Sequence, residues 1–241
     1  MDKQVALVIG AGDALGGAIA RRFAKEGFVA AIVRRHGDKL APLVESIRSA
    51  GGAAMAFGVD ARKEDQMTEL VERVERDLGP IEVAVFNIGA VVHFPIRKTT
   101  ARVYFKVWEM GCFAGFLMGR EVAKVMVPRQ RGTILFTGAT ASIRGSAGFA
   151  AFSGAKHALR ALAQSMSREL GPKGVHVAHT IIDGAIDTQW IAENFPLRHA
   201  LKNDDGILNP EHIADAYWML HAQPRDAWTH ELDLRPWMEA W

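Results

Sequence analysis

The chain has 241 residues, 49% of them hydrophobic, 23% charged, with a formal net charge of +2. That is enough apolar chain for one large buried core, and the near-neutral, scattered charge argues against nucleic acid or an anionic membrane as partner. The basic grouping "PRQR", with Arg129 and Arg131, reads as a solvated turn. A single cysteine, Cys112, excludes an internal disulfide and suits a reducing cytoplasm. It stands in an apolar stretch and reads as a buried, inert thiol. The start, "MDKQVALVIGAG", is too short an apolar run for a signal segment. No run approaches the ~18 apolar residues of a membrane span.

Short β-branched runs alternate with helical periods. "QVALVIG" (4–10) predicts a first strand and "LGGAIARRFAKEG" a helix closed by Gly27. "FVAAIV" (28–33) is the next strand. Leu40, Leu43, Val44 and Ile47 then give a helical face. "AAMAFGV", "KEDQMTELVERVERDLG" and "IEVAVFN" read as strand, amphipathic helix and strand. A looser segment follows, then a long helix from about Thr100 to Val127, ended by Pro128. "GTILFTG" (132–138) is the fifth strand, and a helix from about Gly148 to Leu170 follows it. "GVHVAHTII" is the sixth strand, "PEHIADAYWMLH" a helix and "HELDLR" the seventh strand. Strands that are apolar throughout are those covered on both faces of a parallel sheet. The expected fold is therefore α/β: a single Rossmann-type domain over 1–241, with a doubly wound, mostly parallel seven-stranded sheet between two layers of helices.

The turn "VIGAGDALGGAIA" joins the first strand to the first helix, where open parallel sheets bind dinucleotides. Glycines let the backbone approach a pyrophosphate, and the helix N-terminus offers free N–H groups. Gly10, Gly12, Gly16 and Gly17 are the candidates. The second strand ends in Arg34 and Arg35 with no carboxylate, which favours NADP(H) over NAD(H), because guanidinium matches a ribose 2′-phosphate. Asp13, in the glycine turn, would repel that phosphate if it faced it.

With these residues in place, the chain resembles the short-chain dehydrogenase/reductase family over nearly its whole length. "IGAGDALG" is similar to the family's Thr-Gly-x-x-x-Gly-x-Gly turn: Gly10 and Gly16 match the outer glycines, Ala14 stands at the central one, and Ile9 replaces the threonine. "VDA" puts Asp60 where the family's aspartate contacts adenine, and "FNIG" keeps Asn87 and Gly89 of Asn-Asn-Ala-Gly. "IIDGAIDT" resembles the Pro-Gly-x-Ile-x-Thr segment beside the nicotinamide: Gly184, Ile186 and Thr188 match, while Asp183 replaces the proline. Asp13, Leu15 and Ala61 fall within the same cofactor-binding segments.

The resemblance implies an active site of Asn, Ser, Tyr and Lys. The lysine is Lys156, but the tyrosine position is Phe152, the serine position Ala139 and the asparagine position Gly111. Neither Tyr104 nor Tyr217 has a lysine four residues on, and the seven-residue spacing of the family's enoyl reductases meets Phe149. Asp183 is a candidate replacement acid, or else a cap on the following turn. His93, Ser142, Thr140 and Thr137 are further polar groups near the expected cleft, whereas His157 and His179 read as packing or solvent-facing. Ser153 points about 100° away from Phe152 on a helix.

Phe149, Phe152, Phe113 and Phe116 either line an apolar pocket or fill the core. Loss of the acid points away from simple ketones. It points to an apolar or pre-activated substrate, with C=N or a polarised C=C; a catalytically silent dinucleotide-binding sensor or partner subunit is the alternative. The resemblance also implies a homodimer or homotetramer. Gly115, Gly119 and Ala123 make a flat helix face for such an interface, or for packing on the chain's own sheet. Trp228, Trp237 and Trp241 are expected to contact the body or a neighbouring subunit.

Overall fold

Apolar alternation decides which way each strand's side chains go. In β1 (Val5–Ile9), Val5, Leu7 and Ile9 enter one buried cluster, while Ala6 and Val8 enter another on the opposite face. The computed structural model describes residues 4–239. β1 pairs with β2 (Val29–Arg34) and β4 (Ile81–Phe86), β2 with β3 (Ala53–Gly58), and β4 with β5 (Thr133–Thr137). β6 (His176–Ile182) and β7 (Glu231–Leu234) complete the sheet. The order is β3-β2-β1-β4-β5-β6-β7, and every pairing is parallel, the last strand included.

Helices α1 (Leu15–Lys25), α2 (Ala41–Ser49) and, later in the chain, the helix Pro210–His221 cover one face, with Ile19, Phe23, Leu43 and Tyr217 in its core. α3 (Glu64–Asp77), α4 (Ala101–Trp108), α5 (Ala114–Arg129) and α6 (Ala150–Leu170) lie on the other side of the sheet, with Met67, Leu117 and Leu159 in that face's core. Two short helices, α7 (Gln189–Asn194) and α8 (Pro196–His199), follow β6 and precede α9 (Pro210–His221). The sheet changes direction of winding between β1 and β4, and the candidate site sits at the carboxyl ends of those strands.

The long helix expected to end at Pro128 differs in two ways. It is broken by a π turn over Glu109–Phe113, and it carries Pro128 inside its last turn before Gln130 closes it at φ +52°. So near a helix end, proline forfeits one hydrogen bond without a long helix beyond it to break. The small-residue face is used inside the chain. A Cβ on Gly115 would come within 2.7 Å of Leu159, and one on Gly119 within 2.8 Å of Met166. What this helix turns outward is an aromatic ladder. Phe105, Trp108, Phe113 and Phe116 stack with centroids 5.9–6.2 Å apart, and the Arg120 guanidinium sits 5.3 Å from the Phe116 ring. Phe113 and Phe116 therefore face away from the cleft.

Arg129 and Arg131 are ion-paired with Glu75 and Glu82. Cys112 is buried, and burial raises its thiol pKa. Trp228 stacks on His176 at 4.9 Å, and Trp237 donates from Nε1 to the Asp204 carbonyl at 2.9 Å although its face is exposed. Trp241 lies outside the described residues.

His176 and His179 on β6 are buried, and His221 at the end of α9 is half-buried beside β5. His179 meets Glu231 at 3.1 Å, His221 meets Thr133 at 2.9 Å, and His176 meets the Thr229 carbonyl at 2.8 Å. Burial holds all three below the ordinary histidine range, His179 and His221 at about 4. The unfolded chain takes up these protons near pH 6.5, and the folded chain does so only well below that. Stability is therefore full above pH 6.5 and falls as pH drops toward 4, by roughly 3 kcal/mol for each strongly shifted histidine. Thermal unfolding is expected to weaken already between pH 6.5 and 5, before ordinary carboxylates titrate; a midpoint constant over that range would contradict these burials.

Candidate functional site

The β1–α1 turn is built by close backbone approach. Gly10, at φ +90°, and Ala11 both donate from their amides to the Val33 carbonyl at 3.0 Å. Asn87 donates from its amide to Ile9 O at 2.8 Å and from Nδ2 to Gly10 O at 3.2 Å, so the end of β4 braces the turn. Gly16 has no room for a side chain: a Cβ there would stand 2.5 Å from Gly10 O. At Gly12 the same construction meets nothing within 4 Å, so that edge of the turn is open. The first turn of α1 carries no acidic residue, leaving its free N–H groups and the positive end of the helix dipole uncompensated.

A cavity of about 740 Å³ opens on this turn. Gly10, Gly12, Asp13, Leu15, Gly16, Asn87, Gly89, Ala139, Phe149, Phe152, Lys156, Gly184, Ile186 and Thr188 all line it. A second cavity of about 290 Å³ shares Gly10, Gly12, Asn87 and Gly89 with the first, and adds Arg34, Arg35, Asp60, Ala61 and Arg62. These nineteen positions, scattered along the chain, thus converge on one cleft across the strand ends. Asp13 lines only the larger chamber, away from Arg34 and Arg35. Neither arginine has an ion pair among the described residues. Asp60 is engaged by Arg62, Nε to Oδ1 at 2.8 Å and Nη2 to Oδ2 at 2.6 Å, and these bonds hold its carboxyl below the usual range.

Lys156 projects from α6 between the ends of β4 and β5. Its Nζ donates to Thr137 O at 2.7 Å and to Ile88 O at 3.1 Å, 6.0 Å from the centre of the Phe152 ring. The residue is only 2% exposed, and burial pulls its pKa down to about 8. Gly111 and Asp183 do not line the cleft. Gly111 is buried in the π turn, where a Cβ would sit 3.1 Å from Ala155, so an asparagine there needs α6 to give way.

Asp183 is fully buried behind the wall. It neither caps the next turn nor faces the cavity; Thr188 caps α7 by accepting from Ile191 N at 3.1 Å. Asp183 Oδ1 instead accepts from Thr140 Oγ1 at 2.5 Å and lies 3.4 Å from Arg144 Nη2.

Two further hydroxyls are similarly committed. Thr137 bonds Tyr217 at 2.8 Å, and Ser142 is buried, accepting from Ala139 N at 3.1 Å. Ser153, despite its position next to Phe152, reaches the cavity wall, and its buried Oγ has no hydrogen-bond partner among the described residues. Ser146 is an exposed rim residue. His93 packs edge-on against Phe149 at 4.9 Å and is not a lining residue; neither is Tyr104. Sequence reading missed Arg62, Arg144 and Phe195. Arg62 was signalled by its place two residues after Asp60. The other two are placed by a 3-10 turn at Thr140–Ser142 and by the α7–α8 corner, which carry no periodic signal.

A glycine turn at a helix N-terminus, at the switch point of an all-parallel sheet, defines a Rossmann-type dinucleotide fold. The short chain dehydrogenase model matches residues 4–197, and the chain belongs to that family. It is 28% identical over 191 residues to an uncharacterized oxidoreductase, YxjF, of Bacillus subtilis (strain 168), covering 79% of this chain and 74% of the relative. A short-chain dehydrogenase structure from Rhodopseudomonas palustris is 48% identical, with a TM-score of 0.84 over 98% of this chain and 100% of the other. A metagenomic short-chain oxidoreductase in complex with NADP is 25% identical, with a TM-score of 0.82 over 98% and 97% of the two chains.

The Lys156 amine is expected to titrate well below a surface lysine. In protein carrying nitrogen-15 lysine, one Nζ resonance is expected to have its midpoint about 8; if every lysine titrates above pH 10, the burial described here is wrong.

Proposed function

We propose that the cleft holds NADP(H), in preference to NAD(H), and that the chain is an oxidoreductase working without the family's tyrosine and serine. The observation that carries this reading is Lys156. It stays in the cleft, bonded and nearly buried, while Phe152 and Ala139 stand where proton-handling hydroxyls would be. Gly10, Gly12, Leu15 and Gly16 would hold the pyrophosphate against the α1 N-terminus. Arg34 and Arg35 would hold the 2′-phosphate, Asp60 and Ala61 the adenine end, and Asn87, Gly89, Gly184, Ile186 and Thr188 the nicotinamide half. The bound nicotinamide supplies hydride chemistry. Lys156 has one N–H left after its two carbonyl bonds and would give it to the nicotinamide ribose.

Phe152 cannot donate a proton, and Ala139 cannot steady a developing oxyanion. General acid catalysis alone is worth about 10²–10⁴ in rate. An iminium carbon or a polarised C=C, already electron-poor, fits this site better than a simple ketone. The aromatic ladder along α4 and α5 supports self-association as a dimer or tetramer, since Phe105 and Phe116 leave much of their rings exposed, which is costly in water. Among the described residues no helix is long and apolar enough to cross a membrane. The buried Cys112 suits the reducing cytoplasm.

Titration is expected to show NADPH binding tighter than NADH, and Lys156→Ala weakening NADPH by about tenfold or more. No affinity for either dinucleotide at millimolar levels, or an unchanged K156A, contradicts the assignment. Turnover is expected with imines or enones rather than ketones. Phe152→Tyr alone should not restore ketone reduction, because Ala139 is still silent; full ketone activity in that variant would refute the account. Tight NADPH binding with no turnover across imines, enones and ketones would select a sensor or partner role instead.

A further inference from the structure

In the proposed arrangement, one half of the larger chamber is left for substrate. Val91, Phe149, Phe152, Ile191 and Phe195 make much of its wall apolar. Five charged side chains also line the chamber: Asp13, Arg144, Lys156, Arg198 and Glu239. Four are accounted for. Asp13 belongs to the glycine turn, and Lys156 is tied to two carbonyls. Arg198 and Glu239 neutralise each other at 2.6 Å.

Arg144 is different. Its only ion pair among the described residues is the 3.4 Å approach of Nη2 to Asp183 Oδ1. That oxygen is held more closely by the Thr140 hydroxyl, at 2.5 Å. Asp183 has a second cation in Arg235, whose Nη2 lies 3.6 Å from Oδ2. The buried carboxylate thus has a hydroxyl and a second cation beside it in addition to Arg144. A guanidinium has five N–H donors, and one long contact leaves most of them unused. The Arg144 side chain is 38% exposed, on the cavity wall between Ala139 and Phe149. It is set there by the turn after β5, where Arg144 N donates to Thr140 O at 3.1 Å.

The geometry points to a substrate with an apolar body and one carboxylate, the body against Phe149, Phe152 and Phe195, the carboxylate forked onto Arg144. A planar two-oxygen anion matches the guanidinium edge, and low-polarity walls strengthen the pair. This rests on the dinucleotide reading, because that reading assigns this end of the chamber to substrate. It narrows the substrate class and adds Arg144 as the residue that reads it.

Phenylacetate and the neutral phenylacetamide, nearly equal in shape, are the probes. Calorimetry is done on the full chain, both nucleotide-free and saturated with NADPH. The acid is expected to bind about tenfold or more tightly than the amide. Arg144→Gln is expected to erase that difference, and Arg144→Lys to keep part of it, with NADPH affinity unchanged in both. Equal binding of acid and amide, no saturation by the acid at about 10 mM, or a preference that survives in R144Q would overturn the inference. Absence of NADPH binding by the unaltered chain would instead sink the dinucleotide reading, and the acid–amide comparison on nucleotide-free protein still reports on Arg144.

Discussion

The site depends on how closely the β1–α1 turn lies against the end of β4. Four hydrogen bonds hold the turn: Gly10 N and Ala11 N to Val33 O on β2, and Asn87 N to Ile9 O and Asn87 Nδ2 to Gly10 O from the end of β4. The absent side chain of Gly16 is what permits it, since any Cβ would press on Gly10 O. Because the turn is this tight, the N-terminus of α1 opens onto the strand ends rather than onto solvent beside them. A single added methyl at Gly16 would push helix and turn apart.

The second constraint is a buried charge at the strand ends. Burying an ammonium is costly unless its donors are met. Lys156 meets that cost with two carbonyl oxygens at the ends of β4 and β5, and the cost shows as a lowered pKa. Phe152 closes over it as a hydrocarbon lid at ring distance. Of the hydroxyls near Phe152 and Ala139, those of Thr137, Thr140 and Ser142 are engaged with Tyr217, Asp183 and the Ala139 amide, whereas the buried Ser153 Oγ in the cavity wall has no hydrogen-bond partner among the described residues. On the proposed reading, such a cleft holds and orients a dinucleotide while lacking the tyrosine that would pass a proton to a substrate oxygen.

Much of this was legible in the sequence. Strands buried on both faces must be apolar throughout, so β1, β2, β4 and β5 announce themselves, and the glycine turn and Lys156 fall at fixed places relative to them. The fate of polar side chains was not legible, because it depends on neighbours far along the chain. Asp183 reads as a plausible acid until Thr140, 43 residues earlier, is seen to hold it behind the wall. Gly115 and Gly119 suit a subunit interface as well as an interior until Leu159 and Met166 are found against them. The π turn at Glu109–Phe113 sets Gly111 close against Ala155 of α6, a contact that no local propensity encodes. Arg144 carries no motif at all; only its loop geometry brings it to the cavity.

The central claim is that a dinucleotide-gripping cleft persists without the hydroxyl chemistry that normally accompanies it. The most direct measurement is a crystal structure of the chain with NADP bound. The account predicts the Lys156 Nζ within hydrogen-bonding reach of the nicotinamide ribose and no tyrosine or serine hydroxyl beside the hydride-carrying carbon. A hydroxyl poised at that carbon, or a dinucleotide lying away from the glycine turn, would contradict it.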